Sequence, residues 1–181
     1  MKNKLYKMKK TLFILLFSLF GMTMYSQGDI LNKTPYSADL VMGPYLILDG
    51  TIYESVFLNG VRIGYDFHPR MTIGLEYLAG NQEDLAGQLG TTHSAFGNFK
   101  YYLKGDEKKY RPFLLAGGGF FEFKDFSQDV LGISFYLSLG FDLRLSNRVR
   151  GFLEPRYVNL GLLDADGTHQ FGMMWGVRGL F

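Results

Sequence analysis

The alternation of apolar and polar residues over positions 131–144 is the feature that most constrains how this chain can fold. Leucine, isoleucine or phenylalanine occupies every second position, and glycine, serine, tyrosine, aspartate or arginine occupies the positions between them. A repeat of two residues places the two sets on opposite faces of a β-strand. Strands average about five or six residues in soluble domains, so this unbroken run predicts a tilted strand that crosses a membrane.

A hairpin with the same alternation occupies residues 61–78. Its two runs, 61–67 and 71–78, are joined by a turn at 68–70 that contains Pro69, and proline suits the early position of a tight turn. Patterns of the same kind, including a weaker one near Pro44, predict eight strands. They lie at residues 38–48, 56–67, 71–78, 93–103, 110–123, 131–144, 149–159 and 171–181.

The connections between these strands alternate in length, which indicates the architecture. Short turns at 68–70, 105–109 and 145–147 alternate with longer loops at 49–55, 79–91, 124–129 and 161–169. Short periplasmic turns, longer extracellular loops and an even strand number are typical of outer-membrane barrels. Lipid leaves no partner for an open sheet edge. The sequence therefore predicts an all-β, eight-stranded antiparallel up-and-down transmembrane β-barrel.

Charged residues share the face opposite the large apolar ones. An arginine facing lipid near the midplane costs about 2–4 kcal/mol, so this face is predicted to line the lumen. An eight-stranded lumen is just wide enough for side chains to fill, and the near balance of sign predicts that the charges pair and plug it. We call this set the lumen charge network: Arg62, Asp66, Glu76, Lys100, Glu122, Asp142, Arg144, Arg150, Glu154, Arg156 and Arg178.

Aromatic residues on the apolar face are predicted to lie near the membrane interfaces or on the lipid face, as girdle residues. They are Tyr65, Phe67, Tyr77, Tyr101, Phe113, Phe121, Phe123 and Trp175.

The N-terminal segment is predicted to be a targeting signal. Five lysines precede a short apolar run at 12–20, and small and polar residues follow near Ser26-Gln27, as in a cleaved secretory signal peptide. An uncleaved anchor is the alternative, although the run is short for a spanning helix. We expect a signal peptide at 1–26, a periplasmic lead-in at 27–37 and the barrel at 38–181. Removing the signal takes away five lysines and no acid, so the basic charge of the whole chain does not indicate nucleic-acid binding.

Three stretches carry a resemblance to a known family: GVRIGYDFHPRMTIGLEYL at 60–78, RPFLLAGGG at 111–119 and the aromatic terminus at Phe181. They resemble the small outer-membrane β-barrel superfamily of Gram-negative bacteria, which includes the barrel domain of outer-membrane protein A. The resemblance implies an outer-membrane location and outer-membrane lipid as a partner. It also implies that Met173, Trp175, Val177 and Phe181 are read by the barrel-assembly machinery, with Gly179 departing from the pattern. The Ser26-Gln27 ending resembles signals of Bacteroidetes.

Catalytic patterns are weak in this sequence. The chain has no cysteine, His68, His93 and His169 lack metal-ligand spacing, and Gly117–Gly119 lies inside a strand rather than in a phosphate-binding loop. His93 and Ser94 suggest the lipid A deacylases among small barrels, but adjacent strand residues face opposite sides and the motif does not match. Glu76 and Glu122 could form a carboxylate dyad, although ion pairing in the lumen is the simpler account. We predict no catalytic residue, no metal site, no cofactor and no enzymatic activity.

Three functional hypotheses follow from the sequence. The first is a structural or surface-interaction barrel that displays loops 79–91 and 161–169 toward an extracellular ligand that the sequence does not identify. The second is a narrow channel or carrier for small solutes, and the third is the lipid-modifying enzyme. The occupancy of the lumen separates the first two.

Overall fold

The described part of the chain is one closed antiparallel barrel, in which each strand pairs with its sequence neighbours and β1 also pairs with β8. The computed structural model describes residues 35–47, 53–84, 89–105, 108–124, 129–161 and 168–181. Its strands are β1 (Tyr36–Ile47), β2 (Tyr53–His68), β3 (Met71–Asp84), β4 (Leu89–Tyr102), β5 (Tyr110–Lys124), β6 (Asp129–Arg144), β7 (Val149–Leu160) and β8 (Thr168–Leu180). The predicted fold class is confirmed. Within these ranges, no helix has the length and apolar character needed to cross a bilayer.

Several strands extend further than the sequence pattern predicts. β3 continues to Asp84, β4 begins at Leu89 and β8 begins at Thr168. The predicted bounds of the loops 79–91 and 161–169 are therefore wrong, because the strands occupy part of both ranges. The backbone ladder needs no apolar side chains, and Asn81 still pairs with both Phe57 and Thr91. β1 begins at Tyr36, inside the predicted lead-in of 27–37. The predicted signal peptide, 1–26, lies outside the described residues.

Large apolar side chains cover the outside of the barrel and charged ones fill the inside. Leu75, Leu131 and Leu139 are 62%, 73% and 61% exposed, whereas Glu154 and Arg156 are both 0% exposed. Water-soluble proteins arrange these classes the other way round. A closed barrel with an apolar exterior leaves no backbone group unpaired in lipid, so the barrel spans a membrane.

The faces agree with the sequence pattern in β2, β3, β4, β6, β7 and β8, but they are reversed in β5. Phe113 and Phe121 are buried inside the barrel, and Phe120 is 60% exposed outside. The prediction that Phe113, Phe121 and Phe123 face lipid is therefore wrong, because all three share the inward face. Both faces of β5 are largely apolar, so polarity could not distinguish them.

Glycines on the inward face of β5 make room for neighbouring groups. A Cβ at Gly117 would overlap the ring of Tyr136 from β6, and one at Gly119 would overlap the backbone of Ala95 in β4. Gly118 faces outward, and a Cβ there would meet only the Ser134 carbonyl oxygen, at 3.9 Å. The Gly117–Gly119 run thus serves close packing inside the strand.

Candidate functional site

A row of charged side chains follows the hydrogen-bonding direction around the inner wall. Direct cross-strand partners in β6, β7, β8, β1, β2 and β3 place the following residues side by side: Arg144, Arg150, Arg178, Asp39, Arg62 and Glu76. Directly paired residues on neighbouring strands point to the same side of the sheet. The alternation of inward and outward side chains within each strand therefore brings these charges together. The sequence prediction missed Asp39, whose side chain is 0% exposed.

Two arginines and two glutamates form a neutral quartet in the lumen. Arg62 donates from Nε to Glu76 Oε2 at 2.7 Å and contacts Glu154 Oε2 at 3.1 Å through Nη2. Arg156 Nη1 donates to Glu76 Oε1 at 2.6 Å, and Arg156 Nη2 contacts Glu154 Oε1 at 2.5 Å. The Arg156 guanidinium also lies 4.0 Å from the centre of the Tyr136 ring. Each carboxylate contacts both guanidinium groups, so the quartet is fully paired.

A second cluster is centred on Arg178. Its Nε and Nη2 atoms each donate to Asp39 at 2.7 Å, in a bidentate pair, which is the strongest geometry for an arginine and a carboxylate. Arg178 Nη1 contacts the Tyr102 hydroxyl, and that hydroxyl donates to Asp142 Oδ2 at 3.0 Å. Arg62 Nη1 reaches Asp39 Oδ2 at 3.4 Å and so joins the two clusters.

Aromatic rings lie close to two further cations of the lumen. Lys100 Nζ lies 4.3 Å from the centre of the Phe113 ring, and it has no hydrogen bond within the described residues. Arg111, which the sequence prediction also missed, lies 3.6 Å from the centre of the Tyr102 ring and donates to the Pro69 carbonyl at 3.1 Å. Cations over ring faces are stabilised by the ring quadrupole, which explains how aromatic residues of β5 can share a face with charges.

Other members of the predicted network have different surroundings. Asp66 accepts a hydrogen bond from Thr72, its cross-strand partner. Arg144 and Arg150 are inward cross-strand partners of like charge.

The placement of Glu122 in the lumen is wrong. Glu122 lies on the outward face of β5, partly exposed, with Lys124 Nζ at 2.9 Å. It is two residues from the end of its strand, where an outward charge can reach water or head groups, and it forms no dyad with Glu76.

Two of these contacts cross the whole lumen. In a ring of eight strands, β3 and β7 are opposite each other, as are β4 and β8. The Glu76–Arg156 pair joins the first two strands, and the Tyr102–Arg178 contact joins the second two. Tyr45, Tyr136 and Met174, at 0–1% exposure, fill the space beside the quartet. Side chains of opposite walls thus meet at the barrel axis, and water does not reach them.

The predicted assembly signal lies on the outer face of β8. Met173, Trp175 and Val177 are exposed there, and the Phe181 backbone exchanges hydrogen bonds with Tyr36 in β1. A Cβ at Gly179 would lie 3.0 Å from the ring of Phe181. The terminal ring therefore occupies the space that an apolar side chain at Gly179 would fill, which accounts for the departure at that position.

Histidines on the outer face bond to tyrosines. Tyr77 Oη lies 2.7 Å from His93 Nδ1, and Tyr157 Oη lies 2.5 Å from His169 Nδ1. Ser94 is buried on the opposite face from His93, so the two do not form a nucleophile–base pair. In the part of the chain that the structure describes, no group of three or more potential ligands could hold a metal ion.

A closed barrel with an apolar exterior and a charged, packed interior defines an outer-membrane β-barrel protein, and this chain is one, located in the cell outer membrane. No protein-family model matches the sequence, and no curated protein matches it.

Solved structures show the same fold at low sequence identity. Neisserial surface protein A is 15% identical with a TM-score of 0.64, over 81% of this chain and 96% of that protein. OprG from Pseudomonas aeruginosa is 14% identical with a TM-score of 0.58, over 82% and 97%. The N-terminal barrel domain of P. aeruginosa OprF is 16% identical with a TM-score of 0.53, over 78% and 96%. Identities this low establish the architecture alone.

Proposed function

We propose that this protein is a non-conducting outer-membrane barrel with a structural or surface-interaction role. The observation that carries the proposal is the Glu76–Arg156 contact of 2.6 Å between opposite walls, with both side chains at 0% exposure. A solute path along the axis would have to break this pair and the Tyr102–Arg178 contact. Separating a buried ion pair is costly because each charge is left uncompensated.

A surface role places the ligand-binding groups at the end of the barrel opposite the short turns. By sequence, each of the four connections at that end, with its flanking strand residues, carries carboxylates, among them Asp49, Glu83, Asp125 and Asp164. Lys124 is the single lysine in the sequence of these segments, so acidic residues outnumber it there. We therefore propose that an extracellular ligand of this barrel is cationic, since complementary charge favours encounter and specificity.

The remaining parts of the proposal concern targeting and chemistry. We propose that residues 1–26 direct export, that the terminal aromatic pattern engages the barrel-assembly machinery, and that the source is a Bacteroidetes species. We also propose that the protein is not an enzyme. The separation of His93 and Ser94 onto opposite faces of β4 supports this last point.

Ion conductance in a planar bilayer tests the proposal. The refolded protein is expected to show no current above that of the lipid alone, and Glu76→Gln should leave that baseline unchanged. A narrow channel predicts measurable baseline conductance and a shift in ion selectivity on neutralising Glu76. Either of those results would replace the plugged barrel with the channel. Heat-dependent gel mobility of each sample verifies that the barrel has folded.

A further inference from the structure

Exposed basic side chains are concentrated on the short turns at one end of the barrel. They lie on the β2–β3 turn, the β4–β5 connection and the β6–β7 turn, and all are exposed. We call them the basic rim: Arg70, Lys104, Lys108, Lys109 and Arg148. The β1 start lies at the same end, because Tyr36 pairs with Tyr65 and the Asp66 amide donates to the Pro35 carbonyl.

The backbone of the rim is held in place by the neighbouring strands. The carbonyl oxygens of Arg70, Lys109 and Arg148 accept hydrogen bonds from the amides of Tyr102, Arg144 and Leu180, at 2.8, 2.8 and 2.9 Å. At these three residues, one in each connection, the backbone therefore continues the hydrogen bonding of the barrel wall. The basic side chains are thus distributed around the circumference.

The charge of the rim is not neutralised by carboxylates of the described residues. None of the ion pairs formed within the described residues includes a rim side chain, and the nearby Asp142 is already bonded to Tyr102. Asp106 and Glu107 belong to the β4–β5 connection by sequence, and even with them the rim keeps a cationic excess. Arg144 and Arg150 lie in the lumen at this end and add to the positive potential.

Exposed apolar residues adjoin the basic rim on the lipid side. Leu103 precedes Lys104, Tyr110 follows Lys109, and Leu145 lies in the same turn as Arg148, at 48%, 46% and 60% exposure. Along the barrel axis, the apolar outer surface is thus followed by cations at the short-turn end. This order places the rim at the level of the lipid head groups. A water-soluble polyanion would not require an apolar surface beside the charges, so the arrangement favours a lipid ligand.

We propose that the basic rim binds the head groups of anionic phospholipids in the leaflet at the short-turn end of the barrel. Basic clusters beside a membrane are attracted to anionic lipid, with an effect of about fivefold in binding for each lysine or arginine near the surface. The rim offers several such cations around the circumference. This binding does not depend on whether the lumen conducts, so it can fail or succeed independently of the proposed function.

Electron paramagnetic resonance with spin-labelled lipids tests the proposal on the full barrel in phosphatidylcholine bilayers. The wild-type barrel should immobilise labelled phosphatidylglycerol several-fold more strongly than labelled phosphatidylcholine, and added salt should reduce the preference because it screens exposed charges. The triple variant Lys104→Gln, Lys108→Gln, Lys109→Gln should lose most of it. The double variant Arg70→Gln, Arg148→Gln removes rim charge from the other two turns and should also lower it, by roughly two- to fivefold.

The matched control is Lys124→Gln, which removes an exposed cation at the opposite end of the barrel. It should leave the preference unchanged. Equal immobilisation of the two lipids by the wild type would overturn the proposal, as would an equal loss in the Lys124→Gln control. Co-sedimentation with purified peptidoglycan that the rim variants abolish, without any lipid preference, would also overturn it and assign the rim to the cell wall.

Discussion

The substitution Arg156→Gln tests the packed lumen most directly. Arg156 contacts Glu76 Oε1 at 2.6 Å and Glu154 Oε1 at 2.5 Å, and the guanidinium is fully buried. Without its charge, both carboxylates must share the guanidinium of Arg62, which leaves one negative charge uncompensated. Breaking a buried pair in this way costs about 3–5 kcal/mol. We expect a loss of that size in the free energy of unfolding.

Urea unfolding in detergent micelles measures this loss, and the fluorescence of Trp175, the single tryptophan, provides the signal. Glu122→Gln is the control, because its exposed pair with Lys124 should contribute only about 0–1 kcal/mol. The double variant Glu76→Gln, Arg156→Gln removes one charge of each sign and should be less destabilised than the two single losses added together. If Arg156→Gln were no more destabilising than Glu122→Gln, the lumen would be hydrated and the plugged barrel would be refuted.

Two further predictions concern the faces of the strands. Leu137→Arg, on the lipid face of β6, should impair insertion by about 2–4 kcal/mol, far more than Leu137→Phe, which keeps that face apolar, and equal folded yields of the two on gels run before and after boiling would contradict the assigned face. Gly119→Ala places a Cβ against the backbone of Ala95 and should lower the yield of folded barrel, whereas the Cβ of Gly118→Ala would meet only the Ser134 carbonyl oxygen, at 3.9 Å, and this variant should fold normally. Similar yields for these neighbours would argue against the orientation of β5.

The sequence predicted most faces correctly because charge marks the lumen side of most strands. In β6, Asp142 and Arg144 alternate with leucines and phenylalanine, so lipid and lumen are distinguishable. In β5 the inward charge is Arg111, at the second position of the strand, while Glu122 faces outward near the other end. Charges close to a strand end can reach head groups or water on either face. The polarity rule therefore fails there, and Glu122 misdirected the assignment.

The limits of the strands and the pairing of charges were beyond the reach of sequence patterns. Asp39 lies in β1, where Pro44 and the consecutive residues Leu46 and Ile47 obscure the alternation. Its partner Arg178 is 139 positions away, and only the closed register shows that the two are adjacent. Likewise, the backbone ladder extends β3 into polar sequence, because pairing continues after the strand leaves the apolar layer.

The bidentate contact between Arg178 and Asp39 has a consequence for the order of folding events. It joins the first and last strands, so it can form only when the chain has closed into a ring. Closing the longest loop is the most entropically demanding step, and a contact made after the transition state acts on the rate of unfolding rather than of folding. This pair therefore stabilises the closed pairing of β1 with β8. Asp39→Asn should accelerate unfolding of the barrel in denaturant and leave its rate of folding nearly unchanged. Slower folding with an unaltered rate of unfolding would show that β1 and β8 pair before the transition state.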